Sequence, residues 1–142
     1  MINLPGGEIM GDIMKEKLVY VIDDDDIYHF TIRRMIKILE LPYEVKGFTD
    51  GEKALNYITE RKSDLDSLPE VILLDINMPV KNGWQFLDEF KLIHKDLHKD
   101  ITIFIVSSSA NIKDEQRARD FLEVNGYVVK PFDFEQLKAC LA

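Results

Sequence analysis

From residue 18 onward, short apolar runs alternate with apolar stripes of helical spacing, and this alternation limits the possible folds more than any other feature. Four runs rich in Val and Ile have the length of strands, namely Leu18–Ile22, Val71–Leu74, Ile101–Val106 and Tyr127–Val129. A fifth run, Tyr43–Phe48, alternates with charged residues, as expected of a strand at the edge of a sheet. The sequence pattern therefore predicts five strands.

Between the predicted strands, apolar residues recur at the three- and four-residue spacings of amphipathic helices. The five stripes are Ile32, Met35, Ile36 and Leu39; Ala54, Leu55 and Ile58; Phe86, Phe90 and Ile93; Ala118, Phe121 and Leu122; and Phe134, Leu137 and Leu141. Asn82 with Gln85, and Asp133 with Gln136, have the spacing of the capping boxes that begin helices. Strands alternating with helices predict an α/β domain with a parallel sheet, and right-handed crossovers would place helices on both faces.

The size and charge of the chain restrict its class. Its 142 residues suit one domain, and 26 acidic against 18 basic residues leave a net charge of −8 that would repel a nucleic-acid backbone. No apolar run approaches the roughly 18 residues needed to span a membrane, and the N-terminus lacks the apolar segment of a signal peptide. Cys140 is the only cysteine, so no intramolecular disulfide can form. We expect a cytoplasmic protein that binds neither nucleic acid nor membranes.

The first residues differ from the rest of the chain. Proline and glycine interrupt any periodicity at positions 5, 6, 7 and 11, and the segment has little to bury. Met14, followed by charged residues 15–17, would make a suitable start for a domain. We interpret residues 1–14 as a loose N-terminal extension and residues 15–142 as the domain.

Polar side chains follow four of the predicted strands at their carboxyl ends. Asp23–Asp26 follows the first strand, Asp75 the third, Ser107–Ser109 the fourth and Lys130 the fifth. Each alone has an ordinary explanation: a solvated acidic turn, a turn-forming aspartate, a polar loop and a surface lysine. In an open parallel sheet, however, the working site lies beyond the carboxyl ends of the strands, so the fold would gather all four groups in one crevice.

This set of groups suits phosphoryl transfer to a carboxylate. The acidic run provides oxygen ligands for a hard cation such as Mg2+. Asp75 would be the nucleophile, and Ser107 would donate a hydrogen bond. Lys130, together with Mg2+, would neutralise charge on the phosphoryl oxygens.

Four segments resemble the receiver domains of bacterial two-component response regulators and follow one another in the same order: Leu18–Asp25, Leu74–Gly83, Phe104–Ser108 and Gly126–Phe132. The similarity extends over residues 17–142. It implies a doubly wound, flavodoxin-like fold with five parallel strands in the order 2-1-3-4-5. It also implies a stand-alone, chemotaxis-regulator-like switch. Such a protein is a signalling switch rather than an enzyme, although it catalyses its own phosphorylation and slow dephosphorylation.

The resemblance assigns roles to the residues of the metal and acceptor site. Asp75 is implied to be the phospho-acceptor. Asp24 and Asp75 are implied to bind Mg2+ through their carboxylates, and Asn77 through its main-chain carbonyl, while Asp23 acts through water. The implied phosphoryl donor is a sensor histidine kinase or a histidine phosphotransfer protein, and the implied output is binding to a downstream protein whose identity the sequence leaves open.

The resemblance also assigns the residues of the switch. Ser107 corresponds to the switch threonine or serine of the family, Lys130 to the phosphate-binding lysine, and Tyr127 to the rotating switch aromatic. The peptide bond between Lys130 and Pro131 is implied to be cis. After the final helix no residues remain for an effector domain, so we expect the signal to pass through the surface formed by the fourth helix, around Lys113–Glu123, with the fifth strand and fifth helix.

Other classes fit the sequence less well. A phosphatase of the haloacid-dehalogenase type needs a second acid two residues after the nucleophile, where this chain has Asn77. The acidic run lacks the glycine and glutamate of an EF-hand, no glycine-rich loop follows a strand, and Ser107–Ser109 lacks the glycines of a hydrolase elbow. The remaining alternative is an interaction module that keeps the fold and is never phosphorylated. The intact acceptor, metal and lysine positions argue against it.

Overall fold

The computed structural model describes residues 16–142, so the interpretation of residues 1–14 lies outside the described residues. The strands within this range are β1 (Lys17–Ile22), β2 (Tyr43–Phe48), β3 (Val71–Leu74), β4 (Thr102–Ser107) and β5 (Val124–Val129). The α-helices of the same residues are α1 (Asp26–Ile38), α2 (Gly51–Glu60), α3 (Gly83–His94), α4 (Ile112–Ala118) and α5 (Phe134–Leu141), and a 3-10 turn covers Leu65–Ser67. Within the described range, none of the helices has the length and apolar character needed to cross a bilayer.

The strands form one parallel sheet in the order β2-β1-β3-β4-β5. This confirms the predicted doubly wound fold. The strand order reverses at β1: β2 lies on one side of β1, and the chain then crosses to the other side, where β3, β4 and β5 follow in order. The crevice at this reversal, beyond the carboxyl ends of β1 and β3, is where such sheets bind their ligands.

Helices cover both faces of the sheet, because successive strand residues point to opposite faces. On β1, Val19 and Val21 pack with α1 and α5, whereas Tyr20 and Ile22 pack with α2 and α3. The predicted capping boxes at the starts of α3 and α5 are both present. Their amide and carboxylate oxygens accept hydrogen bonds from backbone N–H groups that the first helical turn leaves unpaired.

Two predicted apolar stripes are partly wrong. The fourth helix ends at Ala118 rather than near Glu123, because Phe121 N–H donates to Ala118 O and Val124 N–H to Phe121 O, which turns the chain into β5. Leu122 lies on the outside of this turn and is 96% exposed. Phe134 is the first residue of α5 and is 42% exposed, whereas the buried residues of this helix begin at Leu137.

A candidate metal and phosphorylation site

The ends of β1 and β3 bring three carboxylates together. Asp23 N–H donates to Phe48 O (3.0 Å) on one neighbouring strand, and Asp75 N–H donates to Ile22 O (2.9 Å), so the backbone extends the sheet up to both aspartates. Asp23, Asp24 and Asp75 each offer an oxygen, and these oxygens all lie within 4.8 Å of one another. Asp23 and Asp75 are buried, whereas Asp24 is exposed. Clustered carboxylate oxygens with one open side suit a hard divalent cation.

The surroundings of Asp75 disfavour its ionised form. Burial raises the pKa of Asp75 to about 6, and the nearby Asp23 carboxylate adds to the effect. The Asn77 N–H, which donates to Asp75 Oδ1 (3.2 Å), and the Lys130 ammonium oppose this rise in pKa. A divalent cation would relieve the repulsion between the carboxylates, so the residues present fit Mg2+.

Asp75→Asn is therefore expected to stabilise the metal-free protein. The folded-state pKa lies above the ordinary 3.8, so ionisation of Asp75 costs stability, and this cost grows as pH rises from about 4 and is complete above about 7. Urea unfolding in EDTA at pH 7.5 should show a gain of about 2–3 kcal/mol for the variant, shrinking towards zero at pH 4. Asp88→Asn on α3, where the side chain is 58% exposed, is the control. A gain independent of pH would contradict the assigned cause.

Lys130 joins the carboxylates from the end of β5. Its ammonium lies 2.7 Å from Asp23 Oδ2, and the two side chains are 21% and 2% exposed. The same ammonium lies 4.4 Å from the centre of the Tyr28 ring, within the range of a cation–π contact. Lys130 N–H donates to Ser107 O (2.8 Å), which ties this strand end to β4. The Lys130–Pro131 peptide bond is cis, the geometry expected from the resemblance.

Ser107 and Tyr127 lie on the β4 and β5 side of the sheet end. Ser107 is fully buried, and its Oγ accepts a hydrogen bond from Ser109 N–H (3.1 Å). The Tyr127 hydroxyl donates to Ser109 O (2.8 Å) while its ring is half-buried. Both side chains therefore contact Ser109 in the short loop that follows β4.

Sequence reasoning missed two residues of α1 that contact this site. The face of the Tyr28 ring lies against the Lys130 ammonium, and Tyr28 Oη is buried without a hydrogen-bond partner in the described part of the chain. His29 Nε2 lies 2.7 Å from Asp23 O. In the sequence, the one indication was that both residues follow the acidic run closely. That position does not distinguish a site residue from an ordinary aromatic residue of the core.

Comparisons with known proteins identify the family of the chain. A family model described as the response regulator receiver domain matches residues 19–142. The chain is 27% identical to the probable methanogenesis regulatory protein FilR2 of Methanothrix harundinacea over 131 residues, which cover 90% of this chain and 83% of that protein. It spans a smaller share, between 36% and 46%, of several other curated relatives.

Solved structures show the same similarity. A two-component response regulator from Cytophaga hutchinsonii is 31% identical with a TM-score of 0.79, covering 89% of this chain and 94% of that one. The phosphorylated cyanobacterial phytochrome response regulator RcpA is 28% identical with a TM-score of 0.71, covering 89% of both chains. Sequence and fold similarity thus extend over nearly all of the described residues.

Proposed function

Because this chain belongs to the family of response regulator receiver domains, we propose that it works as a single-domain switch that is phosphorylated on Asp75. Receiver domains are the signalling switches of two-component systems and bind Mg2+ at an acidic pocket. The proposed donor is a sensor histidine kinase or a histidine phosphotransfer protein in the cytoplasm, and the proposed output is an altered surface for a downstream protein. The observation that carries the proposal is the buried Asp75 beside Asp23, Asp24 and the Lys130 ammonium.

Asp75 is suited to be the nucleophile. With a pKa of about 6 it is largely ionised at neutral pH, while its burial keeps the carboxylate poorly solvated. A carboxylate oxygen would form the new bond to phosphorus as the bond from phosphorus to the donor's imidazole nitrogen breaks. The electron pair of the broken bond leaves with the imidazole.

The remaining groups would hold the metal and balance charge. Asp24 and Asp75 would bind Mg2+ through carboxylate oxygens, Asn77 through its main-chain carbonyl, and Asp23 through water. Bound Mg2+ would neutralise negative charge on the phosphoryl oxygens. Lys130, which pairs with Asp23 in the metal-free protein, would turn its ammonium towards the phosphoryl group once that group is in place.

Mg2+-dependent labelling by acetyl phosphate tests the proposed function. The wild-type protein should gain one phosphate in Mg2+ and none in EDTA. Asp24→Asn removes a proposed direct ligand, so its Mg2+ dissociation constant, measured by calorimetry, should rise about tenfold or more. Asp88→Asn on the exposed face of α3 is the matched control. A wild-type protein that binds Mg2+ but takes up no phosphate would instead favour a receiver-like interaction module.

The proposed switch uses Ser107 and Tyr127. A phosphoryl group on Asp75 would offer a strong acceptor to the Ser107 hydroxyl, drawing it from its contact with Ser109. The Tyr127 hydroxyl bonds to the same loop residue, so movement of the loop would favour an inward rotamer of this ring. A partner that binds the inward form about tenfold more tightly gains roughly 1.4 kcal/mol, within reach of a few side-chain contacts.

Beryllofluoride tests this switch, because its complex on Asp75 stands in for the phosphoryl group. Amide hydrogen exchange should change in Mg2+ with beryllofluoride at residues 107–111 and at 124–129, as well as in the loops that contain the site. Tyr127→Phe lacks the hydroxyl that bonds to Ser109 O, so it should show part of this change before beryllofluoride is added. Changes confined to residues 23–26 and 75–83 would rule out the proposed route.

A further inference from the structure

His29 contacts the backbone of the acidic cluster. It lies in α1, is 6% exposed, and its Nε2 lies 2.7 Å from Asp23 O. A carbonyl oxygen can only accept, so Nε2 carries the hydrogen and donates it. The accepting oxygen belongs to the peptide unit that joins Asp23 to Asp24. The imidazole therefore binds the backbone between two of the three clustered carboxylates.

Gly47 on β2 provides the space for this imidazole. A Cβ at position 47 would lie 2.6 Å from His29 Nδ1 and 2.9 Å from His29 Cε1, closer than side-chain atoms approach one another. The residue after it, Phe48, accepts the Asp23 N–H through its carbonyl (3.0 Å). Both backbone groups of Asp23 are thus bound by β2 or by a ring that rests on β2.

The chemistry of His29 differs from that of an ordinary core residue. Its Nδ1 is buried and has no hydrogen-bond partner within residues 16–142, which costs stability. An apolar side chain of similar size would fill the same space without an unpaired nitrogen. The polar contact that offsets this cost is the bond from Nε2 to Asp23 O.

We infer that His29, given room by Gly47, is a positioning residue for the metal site. The inference rests on the proposed function, because it assigns the purpose of the bond to Mg2+ binding. By holding the peptide unit between Asp23 and Asp24, the imidazole sets the directions in which both side chains leave the backbone. A second bond holds the Asp23 side chain, because its Oδ1 accepts a hydrogen bond from Asp25 N–H (2.9 Å). Because the backbone of the ligands is already ordered, less conformational entropy is lost when Mg2+ binds.

Two substitutions of His29 separate positioning from packing. His29→Leu keeps an apolar volume but lacks the donor, and its Mg2+ dissociation constant by calorimetry should rise about tenfold, as for other groups that orient metal ligands. Its unfolding midpoint in EDTA should stay close to that of the wild type, because the lost bond and the removed unpaired nitrogen offset each other. His29→Gln offers an amide N–H at a similar reach and should restore Mg2+ affinity to within about twofold of wild type.

A double-mutant cycle with Gly47 tests the geometry independently. Gly47→Ala should displace the imidazole and weaken Mg2+ binding nearly as much as His29→Leu does. In a His29→Ala background the added methyl meets no ring, so the same Gly47→Ala change should leave Mg2+ affinity unaltered. Additive effects of the two changes would overturn the inference. If His29→Leu does not fold, wild-type affinity in Gly47→Ala would overturn it equally.

The result for the wild type distinguishes this inference from the proposed function. If wild-type protein binds Mg2+ and is labelled by acetyl phosphate while the His29 and Gly47 variants bind Mg2+ equally well, only the positioning role fails. If the wild-type protein itself binds no Mg2+, the proposed function fails. Weaker Mg2+ binding in His29→Leu with recovery in His29→Gln supports the positioning role, and labelling of the wild-type protein by acetyl phosphate supports the proposed function.

Discussion

Asp75→Asn is expected to abolish phosphate uptake. The amide lacks the charge and the nucleophilic oxygen of the carboxylate, and no other carboxylate of the cluster is placed to replace it: Asp23 pairs with Lys130, and Asp24 is exposed. Incubation with labelled acetyl phosphate and Mg2+ should give one phosphate per wild-type molecule and none on the variant. The bond formed should be an acyl phosphate, which hydroxylamine cleaves.

The same variant provides its own control for folding. Because neutralising Asp75 removes an unfavourable buried charge, Asp75→Asn should be at least as stable as wild type, so loss of labelling cannot result from unfolding. Asp88→Asn on the outer face of α3 should be labelled like wild type. Hydroxylamine-sensitive phosphate at wild-type stoichiometry on Asp75→Asn would show that the acceptor lies elsewhere.

Lys130→Met is expected to have the second-largest effect, on both stability and phosphorylation. Its ammonium pairs with Asp23, whose side chain is only 2% exposed, so the substitution leaves a buried carboxylate without its cation. Removing one partner of a buried pair costs about 3 kcal/mol or more. The rate of labelling should also fall about a hundredfold, because a charge that stabilises the transition state is lost.

Urea unfolding in EDTA and in Mg2+ measures the first effect. Mg2+ should recover part of the stability of Lys130→Met, since the cation compensates the charge of Asp23 that the ammonium no longer balances. Lys138→Met is the matched control, because Lys138 is 51% exposed on α5 and its contact with Glu135 is worth little. If the two variants were equally stable in EDTA, the Asp23–Lys130 pair would contribute nothing to the fold.

Much of the fold was predictable because the burial of a strand or a helix fixes the spacing of apolar residues along the sequence. A strand covered on both faces must be apolar throughout, as in Val71–Leu74, and a helix on the sheet must be apolar every three or four residues, as in Ile32–Ile36. The helix starts at Asn82 and Asp133 are equally local, since a side chain caps an amide three residues away. The strand order itself came from the resemblance, and the sheet confirms it.

The predicted ends of elements were less accurate. Tyr127–Val129 was expected as the last strand, whereas β5 begins at Val124. Residues 124–126 lack a strand-like apolar run but pair with β4, where Ile103 lies opposite Val124 and Phe104 opposite Gly126. Leu122 matched a helical stripe in sequence but lies on a turn, where its side chain is exposed. Such boundaries depend on contacts with residues distant in sequence, and the apolar periodicity of a segment carries no information about those contacts.

The sequence by itself determined which groups meet at the sheet end: parallel strands share one carboxyl edge, so Asp23, Asp24, Asp75 and Lys130 had to converge there. Only the tertiary structure decided how they pair. The pair between the Asp23 carboxylate and the Lys130 ammonium joins residues 107 positions apart in the chain, and no local pattern indicates it. His29 acquires its contact with Asp23 because Gly47 leaves room for its ring. Patterns along a chain report burial and local capping, whereas distances of a few ångströms between side chains depend on how separate elements pack.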